Sequence, residues 1–352
     1  MNIKITGSGS YIPNKVVTNL DFAKHHFLNE DGSDFPYPND VVAEKFLEIT
    51  GIQERRYVTD DLTTSDIATF AAEKAIQDAK IDPETLDYII LAHNFGNVKK
   101  DAIQSDILPS LASRVKQNLK IKNPSCVAYD ILFGCPGWVE GVIQAQAFIK
   151  AGMAKKCLVV GAETLSRVVD IHDRDSMIYS DGAGATIIEA TDEAGGILSH
   201  ESATYAYDEA DYLFFGNSYN TAHDPNVRYI KMFGRKIYEF ALSNVPKAMA
   251  SCLEKSGISI DSVKKVLIHQ ANEKMDEAII QRFFRLYKQT PPEGVMPMSI
   301  HKLGNSSVAT VPTLYDLLLK GKIENQKLQK GDVILFASVG AGMNINAFVY
   351  QM

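Results

Sequence analysis

Apolar and polar positions fall into blocks along this chain, and the period of the pattern changes from block to block. Residues 65–80 (SDIATFAAEKAIQDAK) carry apolar positions at helical spacing behind a Thr/Ser/Asp start, which predicts an amphipathic helix. Residues 86–92 (LDYIILA) form a short, almost wholly apolar run, as expected of a strand buried on both faces of a sheet. Residues 156–162 (KCLVVGA) and 333–338 (VILFAS) read the same way. A β-rich run over 125–132 gives way to a helix-period run over 139–150, with FGCPGW between them. Residues 29–40 (NEDGSDFPYPND) are a polar loop containing Pro and Gly. Strand and helix patterns in alternation predict α/β layers.

The pattern also repeats. IDPETLDYIILAHN (81–94) resembles ISIDSVKKVLIHQA (258–271): a polar turn, then a buried strand ending in His and a small polar residue. GCPGWVEGVIQAQAFIKAG (134–152) resembles GNSSVATVPTLYDLLLKG (304–321), and each leads to a buried strand. The two offsets are about 170 to 177 residues, near half the chain, and the pairs come in the same order. Two similar α/β halves, 1–193 and 194–352, are the simplest account. The repeat has a chemical corollary. Cys135 and Asn305 hold the same place in the two halves, after Gly at the start of an apolar helix, and His269 ends the repeated strand of the second half. Packing about a pseudo-twofold axis would bring the three to one site.

Composition narrows the class. The 352 residues are 45% hydrophobic and 22% charged, as in soluble globular proteins. A net charge of −7 points away from nucleic acid and from anionic membrane surfaces. The start, MNIKITGSGSYIP, lacks a signal-peptide core, and no run approaches the roughly 18–20 apolar residues of a membrane span. Four scattered cysteines, Cys126, Cys135, Cys157 and Cys252, make neither a disulfide framework nor a zinc pattern. The expectation is a reduced, cytoplasmic protein.

A cysteine at a helix start is exposed to N–H groups and a dipole that favour its thiolate, the nucleophilic form. Gly134 permits a tight strand-to-helix turn, and Pro136 suits a first helical position. His269 can give or take a proton near neutral pH, and Asn305 donates a neutral hydrogen bond at any pH. That set suits covalent capture of an acyl group followed by stabilisation of an enolate oxygen. Taken singly, each has a plainer reading: a packed cysteine, a core histidine, a helix N-cap asparagine. Glycine-rich DGAGA (181–185) and SVGAGMN (338–344) read as turns where backbone approaches something closely. GSGS (7–10) lacks the spacing of a dinucleotide loop, since position 12 is Ile and no helix follows at once.

From ITGSGSYIPNKVVTN near the start, through TGIQERRYV (50–58), the cysteine segment, GAETLSR (161–167), YSDGAGAT (179–186), HQAN (269–272) and LGNSSVATVP (303–312), to SVGAGMNINAFVY (338–350), the chain resembles the β-ketoacyl-acyl carrier protein synthase III family of the thiolase superfamily. The resemblance implies a five-layered αβαβα fold of two related halves, a homodimer, and a Cys-His-Asn triad at Cys135, His269 and Asn305. It implies that the cysteine takes an acyl group from an acyl thioester, usually acyl-coenzyme A. A malonyl thioester then loses CO₂, and its carbanion attacks the acyl-enzyme. The amides of Cys135 and Gly342 would form the oxyanion hole. Arg167, Asn272, Lys274 and Arg235 become candidates for holding substrate or carrier, with acyl carrier protein as partner and no metal or redox cofactor.

Departures from the family pattern accompany the matches. Members that prime from acyl-coenzyme A hold the nucleotide with a Trp and an Arg just before the TGI-x-ER segment, where this chain has Lys45 and Ile49. Acyl carrier protein could therefore replace coenzyme A as donor. An Arg at the family's carrier surface is Lys274 here, still positive but not bidentate. Segments 27–40, 95–106 and 207–226 read as added loops, where substrate differences reside. Phe133 and Trp138 flank the nucleophile and are expected either to reshape the acyl channel or to fill core. Together these hint at a specialised member of secondary metabolism. The alternatives are an acyltransferase that uses the same Cys-His pair without decarboxylation, a 3-hydroxy-3-methylglutaryl synthase, for which no glutamate base stands near Asn94, and a non-enzymatic partner subunit.

Overall fold

The computed structural model describes all 352 residues, Met1–Met352. The chain opens with β1 (Asn2–Tyr11) and a small two-stranded sheet of β2 (Lys15–Thr18) and β3 (Glu54–Tyr57), with α1 (Asn39–Thr50) between them. Then come α2 (Thr64–Ala79), β4 (Tyr88–His93), α3 (Leu111–Asn118), β5 (Val127–Leu132), α4 (Gly137–Lys150), β6 (Lys156–Thr164) and β7 (Asp181–Thr191). The remainder holds β8 (Gly196–Thr204), a second small sheet of β9 (Leu213–Gly216) and β10 (Tyr229–Met232), α5 (Gly234–Ser256), β11 (Val263–Ile268), α6 (Glu273–Leu286), α7 (Ile300–Leu303), α8 (Thr310–Leu319), β12 (Val333–Gly340) and β13 (Asn344–Gln351).

Two sheets form the frame, in the orders β1-β7-β6-β4-β5 and β11-β12-β13-β8. They share one plan. A parallel pair, β4–β6 or β11–β12, is continued by an antiparallel strand, β7 or β13, and closed by another, β1 or β8. The first sheet adds β5, parallel to β4, as an extra edge. The doubling read from the pattern of apolar runs is therefore a doubling of topology, with α2 and α5 as equivalent outer helices and α4 and α8 as equivalent inner ones.

Three cores follow from this layering. The Ala-rich face of α2 and the apolar face of α3 cover the outside of the first sheet. Helices α5 and α6 cover the outside of the second. Between the sheets lie α4 and α8, apolar almost all round, as a helix buried on every side must be. Five layers, αβαβα, result. No helix is long and apolar enough to cross a membrane.

The DGAGA segment, read as a turn, is strand instead, lying inside β7. The close approach was the correct part of that expectation: a Cβ on Gly184 would sit 2.7 Å from Pro312 of α8. GSGS lies inside β1, and a Cβ on Gly9 would sit 2.4 Å from Ala71 O of α2. Ser8 and Ser10 donate to the buried carboxylate of Asp316 on α8, at 2.8 and 2.6 Å, which ties the first strand to the central layer.

Trp138 sits in the middle layer, fully buried. Its ring packs against Phe336 of β12 and Phe348 of β13, each 5.9 Å between centroids, and its Nε1–H donates to Thr186 Oγ1 of β7 at 3.2 Å. It therefore bridges both sheets. Trp138→Ala should lower unfolding stability by about 3–5 kcal/mol, read as a lower denaturation midpoint.

Candidate active site

Strand β5 ends at Leu132, and the chain turns through residues 133–136 into α4. Gly134 takes φ +60 in that turn, and a Cβ there would meet Ala341 N at 2.9 Å. Only glycine fits both demands at low cost. Pro136 is the N-cap of α4, one place earlier than the sequence pattern suggests. Cys135 is thus held at the mouth of the central helix, half-buried, with its backbone N packed under Gly340, whose added Cβ would lie 2.6 Å away.

Asn305 approaches from the other half. Its backbone pairs with the segment before β7, accepting from Ser180 N at 2.8 Å and donating to Ile178 O at 3.0 Å. Its Oδ1 accepts the Ser307 N–H at 2.8 Å, which fixes the amide and leaves Nδ2 as the free donor. His269 follows β11. Its backbone N–H donates to Ala337 O, and its neighbour Gln270 is satisfied by Ser299 N, Ile300 N and Pro297 O, so the segment is rigidly held.

The three residues line one cavity of about 960 Å³, near the upper end of ~300–1,000 Å³ for small-molecule pockets. Its walls are mainly apolar. Phe35, Tyr37 and Phe46 come from the segments before and within α1, and Phe95, Phe214 and Phe215 from the other side. Phe95 and Phe215 stack at 4.8 Å and 19°. All three segments read as added loops contribute to this wall.

Burial sets the protonation states. It pushes the Cys135 thiol up to about 11, and the negative charge of Glu163 adds to that rise. The depressed thiol expected from the helix start is therefore not found at rest, because desolvation outweighs it. Two hydrogen bonds work the other way, the larger from Ser307, whose Oγ–H donates to Cys135 Sγ at 3.3 Å, and the smaller from the cysteine's own backbone N–H. Burial also lowers His269 to about 4, so its imidazole is neutral at physiological pH, and its Nδ1 is buried without a partner.

Several expected site residues stand elsewhere. Trp138 does not touch the cavity, since it is spent on the core described above. Phe133 is half-buried beside Gly137 and is not part of the cavity wall. Arg167 is turned inward: its Nη2 donates to Thr59 O at 2.8 Å and Leu62 O at 3.4 Å, so it pins that loop and is no handle for a nucleotide. Gly342, at φ +72, turns away, and the residues of its turn that face Cys135 are Gly340 and Ala341. Asn272 lines the cavity while capping α6 through Met275 N at 3.0 Å. Arg235 and Lys45 line the mouth, and Ile49 lies beside them. Lys274 stands nearby on the first turn of α6, exposed, 3.6 Å from Glu48 of α1.

Two residues of the site were not singled out in the sequence, Ser307 and Glu163. Glu163, on β6, is buried, and burial pushes its carboxyl up to about 7. It accepts both the N–H and the Nδ2–H of Asn94, each at 2.5 Å. A carboxyl group is thus present at Asn94 after all, supplied by the neighbouring strand. The only hint was the GAETLSR motif itself. No cluster of three or more His, Cys, Asp or Glu side chains is arranged to hold a metal ion.

A doubled αβαβα core with a cysteine at the start of one central helix places this protein in the class of thiolase-like condensing enzymes. Sequence models for 3-oxoacyl-[acyl-carrier-protein (ACP)] synthase III match residues 129–206, and for its C-terminal part residues 253–352. The chain is 34% identical over 352 residues to the beta-ketoacyl-[acyl-carrier-protein] synthase III of Aquifex aeolicus, covering 100% of both chains. It is equally similar, at 34%, to that of Bacillus pumilus, covering 100% of this chain and 99% of the relative. The crystal structure of the Aquifex aeolicus enzyme superposes with a TM-score of 0.80 at 32% identity, over 99% of this chain and 100% of that one. The chain belongs to the β-ketoacyl-acyl carrier protein synthase III family and is a condensing enzyme of the acyltransferase type.

Proposed function

We propose that Cys135 attacks an acyl thioester and that His269 and Asn305 then drive decarboxylative condensation with a malonyl thioester. The observation that carries this is the meeting of a thiol, a neutral imidazole and an oriented carboxamide donor in one acyl-sized cavity. In the first half-reaction the Cys135 sulfur adds to the thioester carbonyl, and its proton passes through neutral His269 to the departing carrier thiolate. The oxyanion rests on the amide of Cys135 and the 340–341 turn. In the second, the malonyl thioester carbonyl accepts hydrogen bonds from His269 and Asn305 Nδ2. The carboxylate leaves as CO₂, and the electron pair passes through the enolate into a new C–C bond with the acyl carbon. Cys135 departs as thiolate and is reprotonated. A β-ketoacyl thioester is the product.

Acyl carrier protein is the partner this reading favours, for donor as well as extender. Lys45 and Arg235 line the cavity mouth, with Lys274 nearby; their exposed ion pairs with Glu48 and Glu239 are ones that an acidic carrier would compete for. Arg167 is not available to a nucleotide. The broad apolar wall from segments 27–40, 95–106 and 207–226 suits acyl groups longer or bulkier than acetyl, in keeping with a specialised member of the family. The protein is read as cytoplasmic, with four free cysteines. The test is product analysis with acyl-carrier protein, acyl-coenzyme A and malonyl-carrier protein in separate pairings. A β-ketoacyl product with CO₂ release supports the reading. Acyl transfer to another acceptor without CO₂ would favour the non-decarboxylating alternative.

A homodimer is part of the same proposal. Strand β5 is an open edge of the first sheet, and apolar residues of the strand itself are exposed: Leu132 at 65% and Val127 at 46%. A second copy pairing its own β5 antiparallel about a twofold axis would cover edge and patch together. Light scattering should give twice the chain mass of 38.9 kDa. A concentration-independent monomer would reject the dimer.

A further inference from the structure

Cys135 is the last member of a chain of hydrogen bonds that begins at a buried carboxylate. Glu163 Oε1 accepts two hydrogens from Asn94. The second amide hydrogen of Asn94 Nδ2 goes to Ser307 Oγ at 3.0 Å. Ser307, having accepted there, has its single hydroxyl hydrogen left for Cys135 Sγ at 3.3 Å. Ser307 itself is held at φ +52, a costly place for a serine, with its N–H given to Asn305 Oδ1. Every donor in the chain thus has one direction, and that direction is set by the acceptor at its far end.

We propose that Glu163 is a positioning residue for the nucleophile: through Asn94 it fixes the Ser307 hydroxyl as a donor to the Cys135 sulfur. This rests on the reading of Cys135 as the acyl acceptor. A donor aimed at sulfur favours thiolate over thiol, and so opposes the burial that holds the thiol protonated. The same bond stabilises the thiolate when condensation releases it. Glu163 Oε2 has no partner, so the carboxyl spends its hydrogen-bonding capacity on Asn94 alone. His93, which would otherwise compete, is engaged on both nitrogens: Nδ1 accepts from Gly96 N at 2.9 Å, and Nε2 donates to Asp130 at 3.1 Å. Asp181, the other carboxyl near Glu163, is occupied by Ser166 and Val58. Facing Cys135 from the remaining walls are His269, neutral at physiological pH, and Tyr179.

Two effects of Glu163 on the sulfur have opposite signs, which makes the proposal testable. Its negative charge disfavours thiolate, whereas its hold on the relay favours it. Labelling by iodoacetamide across a pH series, read by intact mass, reports the thiolate of Cys135, because Cys126, Cys157 and Cys252 are buried. E163L, which removes both the charge and the acceptor, S307A and N94A should each move the labelling profile to higher pH and slow labelling about tenfold at a fixed pH near 8, equivalent to a shift of about one pKa unit. The double variant E163L/S307A should label no more slowly than S307A alone, since the relay is already cut there and only the loss of the charge is added. Faster labelling in E163L would mean that only its charge matters and would overturn the proposal. Additive slowing in the double variant, or unchanged profiles with a lowered melting temperature, would overturn it as well. The labelling needs no acyl substrate, so failure of wild-type acylation would count against the reading of Cys135 alone, and displaced or undisplaced labelling profiles would still decide the relay.

Discussion

Cys135→Ala protein incubated with an acyl thioester is expected to gain no mass, while the native chain gains one acyl group. Condensation should fall by at least ~10³-fold, the scale on which removal of a covalent nucleophile acts. Alanine removes the sulfur and leaves the turn intact, because the constraints there belong to Gly134 and to the packing of Gly340 on the Cys135 backbone. The other three cysteines are buried in the outer and central cores. An adduct persisting in the variant would remove Cys135 from the reaction. Circular dichroism should show the fold unchanged, which separates lost chemistry from lost structure.

Asn305→Ala should separate the two half-reactions. Acylation of Cys135 needs the sulfur and the oxyanion amides, and it should proceed near the native rate. Decarboxylation needs the donors to the enolate oxygen, and CO₂ release should drop by about 10²–10³-fold, the usual cost of one oxyanion donor. His269→Ala should show the same loss, with slower acylation besides, since it also relays the thiol proton. The histidine is a donor in its neutral form, and burial keeps it neutral down to a pH of about 4. Decarboxylation should accordingly stay level with pH from about 5 upward, with no inflection at the usual histidine value near 6.5. CO₂ release at the native rate in both variants would withdraw the enolate role from both residues.

The repeat makes much of this architecture legible in the sequence. Equivalent helices in the two halves became α4 and α8, which share the core between the sheets, but only Cys135 sits at a helix start: Asn305 lies five residues ahead of α8, in an extended segment bridged to Tyr179, and reaches the same cavity from there. What the repeat could not show was which of its matched residues would face that cavity. His93 and His269 end equivalent strands, yet His93 is consumed by Asp130 and Gly96 while His269 lines the site. Trp138 stands three positions from the nucleophile in sequence, but the helix carries its ring to the opposite side, between the sheets. Gly342 takes a left-handed φ of +72 directly after the facing residues Gly340 and Ala341, and such a turn is invisible in a GAG string. Glu163 and Ser307 are ordinary residues until three-dimensional distances connect them through Asn94.

The acyl cavity has two kinds of wall. Its reacting end belongs to the paired central helices and the strands that flank them, where nearly every side chain is committed to packing or to a hydrogen bond. Its far end belongs to surface segments around Phe35, Phe95 and Phe214, which lie outside the layered sheets and helices, although Tyr212 and Leu213 beside Phe214 rest on the outer core of the second sheet. The consequence is a modular division of inheritance. A lineage could exchange those segments and acquire new acyl preferences without disturbing the reaction, and an engineer could graft them from a relative for the same end.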